Sequence, residues 1–128
     1  MNLEDFKNTC WNKDCLEILP LIPANSIDCI VCDLPYAVTA NSWDVMLPMD
    51  KLWEQYLRII KDKGAIVLFA NEAFSSKLIN FAQKYFRYKW YWIKNTGTNF
   101  FHSSRMPIRF VEKVISNKSL RYRPHVKL

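Results

Sequence analysis

Ser26-Ile27-Asp28-Cys29-Ile30-Val31-Cys32-Asp33-Leu34-Pro35-Tyr36 is an apolar run that ends in a carboxylate, a proline and an aromatic ring. It predicts a buried strand over residues 27–32, apolar on both faces apart from Asp28, as suits the centre of a parallel sheet. In open α/β sheets ligands sit beyond the strand carboxyl ends, so residues 33–36 are where chemistry is expected first.

Upstream, residues 14–19 predict a short helix closed by Pro20 and Pro23, and Asn25-Ser26 turns the chain into the strand. Downstream, Pro48 suits the first turn of a helix running to about residue 62, with Leu52, Trp53, Tyr56, Leu57 and Ile60 as its apolar stripe. Gly64 is the expected stop, with Lys61 and Lys63 near the negative end of the helix. Residues 65–70 read as a second apolar strand ending at Asn71, and strand, helix, strand implies a right-handed parallel crossover. Ser75 or Ser76 is the expected cap of the next helix, which buries Leu78, Ile79, Ala82, Tyr85 and Phe86. An aromatic strand over 87–94 and a last strand over 108–116 follow. The polar segment 95–105 between them reads as a loop that a ligand would order.

With 128 residues, half of them hydrophobic and 15% aromatic, the chain can bury one core, and residues 1–128 read as a single domain. No apolar run is long enough to span a membrane, and Glu4 and Asp5 stand where a signal peptide would be positive, so a cytoplasmic location is expected. Of the four cysteines, Cys29 and Cys32 are three apart on a strand and face opposite ways, which disfavours a shared zinc. Cys10, Cys15, Cys29 and Cys32 are expected to be reduced packing residues. The net charge of +6 is unevenly placed. Residues 1–64 hold six Lys/Arg against ten Asp/Glu, whereas 65–128 hold twelve against two, an asymmetry that suits a polyanion such as nucleic acid or forms a solvated basic surface.

Asp33-Leu34-Pro35-Tyr36 offers an anionic acceptor, a backbone carbonyl and a flat ring within four residues. Pro35 holds Leu34 extended and so fixes its carbonyl. Two acceptors beside a stacking ring suit an exocyclic amine on a planar heterocycle, adenine or cytosine, and favour a more tetrahedral, more nucleophilic nitrogen. Stacking on Tyr36 would offset on the order of 1–3 kcal/mol of the cost of extruding a base. The plainer reading is a turn in which Asp33 caps an amide and Tyr36 packs in the core.

Beyond this motif, the chain resembles the amino-methylating DNA methyltransferases whose catalytic motif precedes the cofactor motif. The likeness runs in order through Asp14-Cys15-Leu16, Asn25 to Asp28, and Asp33 to Tyr36 against Asp-Pro-Pro-Tyr, then Asn41, Trp43 and Asp44. It continues through Gly64 to Asn71, Phe86-Arg87-Tyr88 with Trp90, Trp92 and Lys94, and Met106 to Arg109 with Glu112. The resemblance implies a partial Rossmann-like methyltransferase sheet, mostly parallel with one antiparallel strand near the C-terminus, flanked by helices. It implies direct transfer of a methyl group from S-adenosylmethionine to a flipped-out base in DNA, as in restriction-modification, with Asp33 and the Leu34 carbonyl receiving the amine and Tyr36 stacking. Asp33 and Tyr36 at the ends of the motif match the adenine-N6 members. Asp14 and Cys15, with Asp33, would lie near the cofactor, and Trp43 and Asp44 would wall the base pocket. Lys94, Arg105 and Arg109 are candidate phosphate contacts, and His102 a solvent or DNA contact.

Leu34 replaces the family's first proline, Lys13 a glycine and Val111 a common histidine. The family continues into a target-recognition region and a Phe-x-Gly-x-Gly cofactor loop, whereas the only glycines here are Gly64 and Gly97. The resemblance therefore covers the target-base half, and cofactor binding by this chain alone is not expected. The outer edge of strand 27–32 would be bare, so cover by another chain, by the N-terminal segment or by a second copy is expected. The competing readings are a non-catalytic nucleic-acid-binding remnant, half of a split methyltransferase, and a methyltransferase acting on RNA or a protein amide.

Overall fold

The computed structural model describes residues 2–37, 42, 45–98, 104–105 and 109–118, the side chains of residues 98, 109 and 118 excepted. Helix α1 (Cys15–Ile18) starts at Asp14, whose carboxylate accepts from the Leu16 N–H at 2.8 Å, and runs into a 3-10 turn at Leu19–Leu21. Asn25, in the left-handed region with φ 52, turns the chain into β1 (Ile27–Asp33). Asparagine tolerates that conformation better than most side chains, which suits it to the corner.

Helix α2 (Met49–Ile59) buries Leu52, Trp53 and Tyr56 of the expected stripe together with Ile59, while Leu57 is half-buried and Ile60 lies in the next strand. It ends earlier than the sequence suggested, and Gly64 does not stop it. The N–H groups of Asn25 and Ser26 donate to the carbonyls of Arg58 and Ile59 at 2.9 and 2.8 Å, so the entry to β1 satisfies the end of the helix. Strand β2 (Ile60–Ala70) begins at once. Gly64 instead lies where the β1–β2 register slips, with Ile27 opposite Ile60 but Cys29 opposite Ala65. A Cβ on Gly64 would lie 2.6 Å from Ile60 Cγ1 and 2.9 Å from the Asp28 carbonyl oxygen. The Lys61–Asp28 ion pair, 2.8 Å, spans the same irregularity.

Helix α3 (Glu72–Phe81) follows β2 with one residue between, and that residue is its cap. Asn71 Oδ1 accepts from the Phe74 N–H at 2.9 Å. Neither Ser75 nor Ser76 caps the helix. Ser75 is buried inside it and donates to the Glu72 carbonyl at 2.8 Å. Strands β3 (Phe86–Thr98) and β4 (Arg109–Lys118) complete the fold, β3 extending into part of the segment read as a loop.

The strand order is β1-β2-β4-β3. This corrects the expected mostly parallel sheet: β1 pairs β2 in parallel, but β4, the antiparallel strand anticipated near the C-terminus, lies inside the sheet and makes two of its three ladders antiparallel. The last strand returns between β2 and β3, so the anticipated second parallel neighbour is replaced by two antiparallel ladders. β1 is an edge strand, as its bare outer side in the sequence reading anticipated, and Asp28, Cys29, Val31 and Asp33 are exposed.

Register divides the sheet into two unlike faces. Ile66, Leu68, Ala70 and Ile115 form the core with Leu52, Trp53 and Tyr56 of α2 and Phe74 and Leu78 of α3. The opposite face carries Cys29, Val31 and Asp33 beside Ala65, Val67 and Phe69, then Val114 and Trp90, then Glu112 and Trp92. Ala65 is buried at one end of that face, yet Val31 is 65% and Trp92 52% exposed toward the other. No helix among the described residues is long and apolar enough to cross a membrane. The cysteines are free, but Cys10, Cys15 and Cys29 are exposed; Cys32 alone packs against the core. Cys29 departs because it lies on the sheet face opposite α2 and α3, whereas the sequence placed it in a strand covered on both faces.

Candidate active site

Parallel pairing brings the carboxyl ends of β1 and β2 together, with Asp33 opposite Phe69. Because β4 is antiparallel, its first residues reach the same end, and so do the last residues of β3. The motif after β1 therefore meets residues from every strand.

Leu34 sends its side chain into the core, 5% exposed, and anchors the turn. The Tyr36 ring lies 4.9 Å from that of Phe74 at 37°, and its hydroxyl donates to Asp33 Oδ1. Burial, then this bond to Asp33, pushes the Tyr36 hydroxyl well above its ordinary pKa, with Glu112 and Cys32 adding to the shift. The phenol thus stays protonated and holds one carboxylate oxygen, while Asp33 itself is exposed at the sheet end. Ala37 follows with φ 55, a left-handed conformation that costs an L-residue roughly 1–2 kcal/mol.

Across the sheet end, Lys94 and Glu112 form an ion pair, and Lys94 Nζ lies 5.3 Å from the centre of the Trp92 ring. Trp92 stands edge-on to Phe69 at 6.2 Å. Phe69 thus stands between Asp33, opposite it on β1, and the Trp92 ring on β3. Lys94, proposed from sequence as a phosphate contact, is 18% exposed and directed to Glu112. Arg105 is exposed in a turn. Arg109 opens β4 opposite Thr98, and its side chain lies outside the described residues, as do Trp43, Asp44, Asn41 and His102 entirely.

Cys15, the first residue of α1, lies within electrostatic reach of Cys32 of β1. The Cys15 thiol is raised by burial, then by the charges of Asp14 and Cys32. Cys32 is raised by burial against its hydrogen bond with Tyr56. The Asp14 carboxylate is engaged as the α1 cap.

Sequence reading gave no role to Glu112, Phe69 or Phe74. The period-two spacing of Trp90, Trp92 and Lys94 was the available signal, since it puts them on one strand face. Also missed was Lys113, 6% exposed, which pairs with Glu72 at the start of α3 and lies 5.9 Å from the Tyr91 ring. Among the described residues no three His, Cys, Asp or Glu side chains gather as a metal site.

No protein-family model and no curated protein matches the sequence. Solved structures do. The M1.HpyAVI complex with SAM is similar at 17% identity and TM-score 0.61 over 92% of this chain and 62% of that one. The PvuII cytosine-N4-specific DNA methyltransferase is similar at 14% identity and TM-score 0.63 over 86% and 48%. TTHA0409 of Thermus thermophilus, complexed with S-adenosyl-L-methionine, is similar at 16% identity and TM-score 0.54 over 89% and 56%. The fold is that of DNA methyltransferases. The chain spans about half the length of the solved structures it matches.

Two of these structures hold S-adenosylmethionine. Close backbone approach to a ligand calls for glycine. Gly64 is packed against Ile60 and the Asp28 carbonyl, five residues before Phe69 and about 16 Å along the strand from the Asp33 end. Gly97 lies within β3.

Proposed function

We propose that Asp33, Leu34, Pro35 and Tyr36 form the target-base pocket of a DNA amino-methyltransferase whose donor is S-adenosylmethionine and whose acceptor is the N6 amino group of adenine. The observation that carries this reading is the Tyr36 hydroxyl bonded to Asp33 at the carboxyl end of β1, in a fold shared with DNA methyltransferases.

An adenine amino group has two N–H donors. The exposed Asp33 carboxylate offers an acceptor for one, and the Leu34 carbonyl, restricted by Pro35, offers an acceptor for the other. The Tyr36 ring, backed by Phe74, presents a surface for the extruded base. Acceptors positioned on the amine favour the pyramidal nitrogen that has a free lone pair. These residues bind and orient the acceptor. The basic second half, with Arg105 exposed and Arg109 at the opening of β4, supplies charge for the phosphate backbone.

The N4 amino group of cytosine offers the same pair of donors, and one of the similar structures is cytosine-N4-specific. Nucleoside mass spectrometry of DNA from cells expressing the complete protein distinguishes them. N6-methyladenine is the expected product; N4-methylcytosine would replace the adenine assignment, and unmodified DNA would count against methyl transfer to DNA.

A further inference from the structure

Trp90 and Trp92 project from one face of β3, the face that α2 and α3 leave uncovered, and are 39% and 52% exposed. Tryptophan is on average a well-buried side chain, and two at alternate positions of one strand form a stripe. Neither indole is stacked face to face with another ring among the described residues. Tyr88 meets Trp90 at 5.0 Å and 71°, and Phe69 meets Trp92 at 6.2 Å and 67°. Such T-shaped contacts fix an indole without stacking on it. Lys94, paired with Glu112, lies 5.3 Å from the Trp92 centre and holds that end of the stripe.

Charge identifies what the stripe fits. Residues 73–111, which include all of β3, hold seven Lys or Arg and no Asp or Glu. Among them Lys77, Lys84, Arg87 and Arg105 are exposed. Exposed flat rings on a cationic strand match an anion that has flat faces of its own, which is nucleic acid. A duplex does not use such rings, because its bases lie stacked at about 3.4 Å along each strand and their faces are closed. Alternate side chains of a β-strand stand about 6.7 Å apart, so only unpaired, unstacked bases can each meet an indole. Register also aligns the stripe with the motif after β1. Asp33 is opposite Phe69, Phe69 opposite Val114 and Val114 opposite Trp90. Trp90 is therefore three strand spacings, or about 14 Å, from Asp33, a distance that a short length of extended strand crosses.

We infer that Trp90 and Trp92 form a stacking platform for single-stranded DNA, which lays two bases on the indoles and brings a neighbouring, unpaired base to Asp33. The platform stands on its own geometry and charge, while delivery to Asp33 rests on the methyltransferase reading above. A base that is already unpaired spares the reaction the cost of extrusion from a duplex.

The test follows fluorescein-labelled oligothymidylate binding to the complete protein by fluorescence anisotropy, beside the same strand paired with oligodeoxyadenylate. The single strand is expected to bind on the order of tenfold more tightly than the duplex. Trp90→Ala and Trp92→Ala should each weaken single-strand binding by roughly 5- to 100-fold, with the circular dichroism spectrum unchanged. Trp90→Phe and Trp92→Phe keep a ring and should retain most of the affinity. Trp11→Ala, at an exposed tryptophan outside the sheet, should leave it unchanged. An oligothymidylate carrying one 5-iodouracil should photo-cross-link to Trp90 or Trp92. Duplex binding as tight as single-strand binding, alanine variants that bind like the wild type, or cross-links only elsewhere overturn the inference. Transfer of labelled methyl groups from S-adenosylmethionine to adenine-containing single strands and duplexes separates the two claims. Single-strand binding through Trp90 and Trp92 with no methyl transfer keeps the platform and overturns the methyltransferase reading. Methyl transfer that the two alanine variants leave undiminished keeps that reading and overturns the platform.

Discussion

The Tyr36 hydroxyl donates to the Asp33 carboxylate, and the ring that carries it is seated on Phe74 at the start of α3. A strand end, a turn and a helix are thereby tied by one side chain. Tyr36→Phe removes the bond but keeps the ring, and is expected to cost about 1 kcal/mol. Tyr36→Ala removes both and should cost about 2–3 kcal/mol in urea unfolding. Equal losses would mean that the ring contributes nothing to the seat.

Alkaline pH should weaken the fold. Burial raises the Tyr36 and Tyr56 phenols above their ordinary value of 10.0 and the Cys15 and Cys32 thiols above 9.0. Each group resists ionising when folded, so above these ordinary values the unfolded chain releases protons that the native state retains, and stability falls as pH rises. Unfolding free energy should be flat near pH 8 and decline toward about pH 11. Tyr56→Phe should make that decline shallower, and an unchanged slope would remove Tyr56 from the account.

Gly64→Ala should destabilise by about 1–3 kcal/mol, because the added methyl meets backbone at the Asp28 carbonyl as well as Ile60. The same change in a helix-stop glycine would act through backbone conformation, but no glycine here has positive φ. A neutral result by thermal unfolding would contradict the crowding at the β1–β2 slip.

Ala37→Gly should stabilise. The left-handed conformation costs alanine roughly 1–2 kcal/mol, and glycine returns about 0.5–1 kcal/mol of that as backbone entropy, leaving a net gain of about 0.5–1 kcal/mol. A loss in urea unfolding would show that the Ala37 side chain makes a contact worth more than the strain.

Much of this was legible because local patterns decided it. The α2 stripe, the apolar run after Gly64 and the abrupt end of β1 at Asp33 depend on periods that survive folding. What escaped depends on which strand lies beside which. Ile27 to Cys32 is as apolar as a strand covered on both faces, yet α2 and α3 cover only the face of Ile30 and Cys32. A return of β4 between β2 and β3 leaves no mark on either strand's own residues. Asn71 was read as the end of a strand, and its capping role appears only because α3 follows without a loop. Lys94 read as a candidate phosphate contact, and its pairing with Glu112, which stands opposite Trp92, depends on cross-strand register. Of the candidate site, the Asp33 to Tyr36 motif was visible, while the placing of Phe69 opposite Asp33 and of Trp92 against Phe69 depends on cross-strand register.

The central claim is that the Asp33 carboxylate receives the amino group that is methylated. It is tested by following labelled methyl groups from S-adenosylmethionine into DNA with the complete protein, wild type against Asp33→Ala, each shown by circular dichroism to be folded. Loss of transfer in Asp33→Ala, with DNA binding retained, is the predicted result. Undiminished transfer by Asp33→Ala would contradict the account.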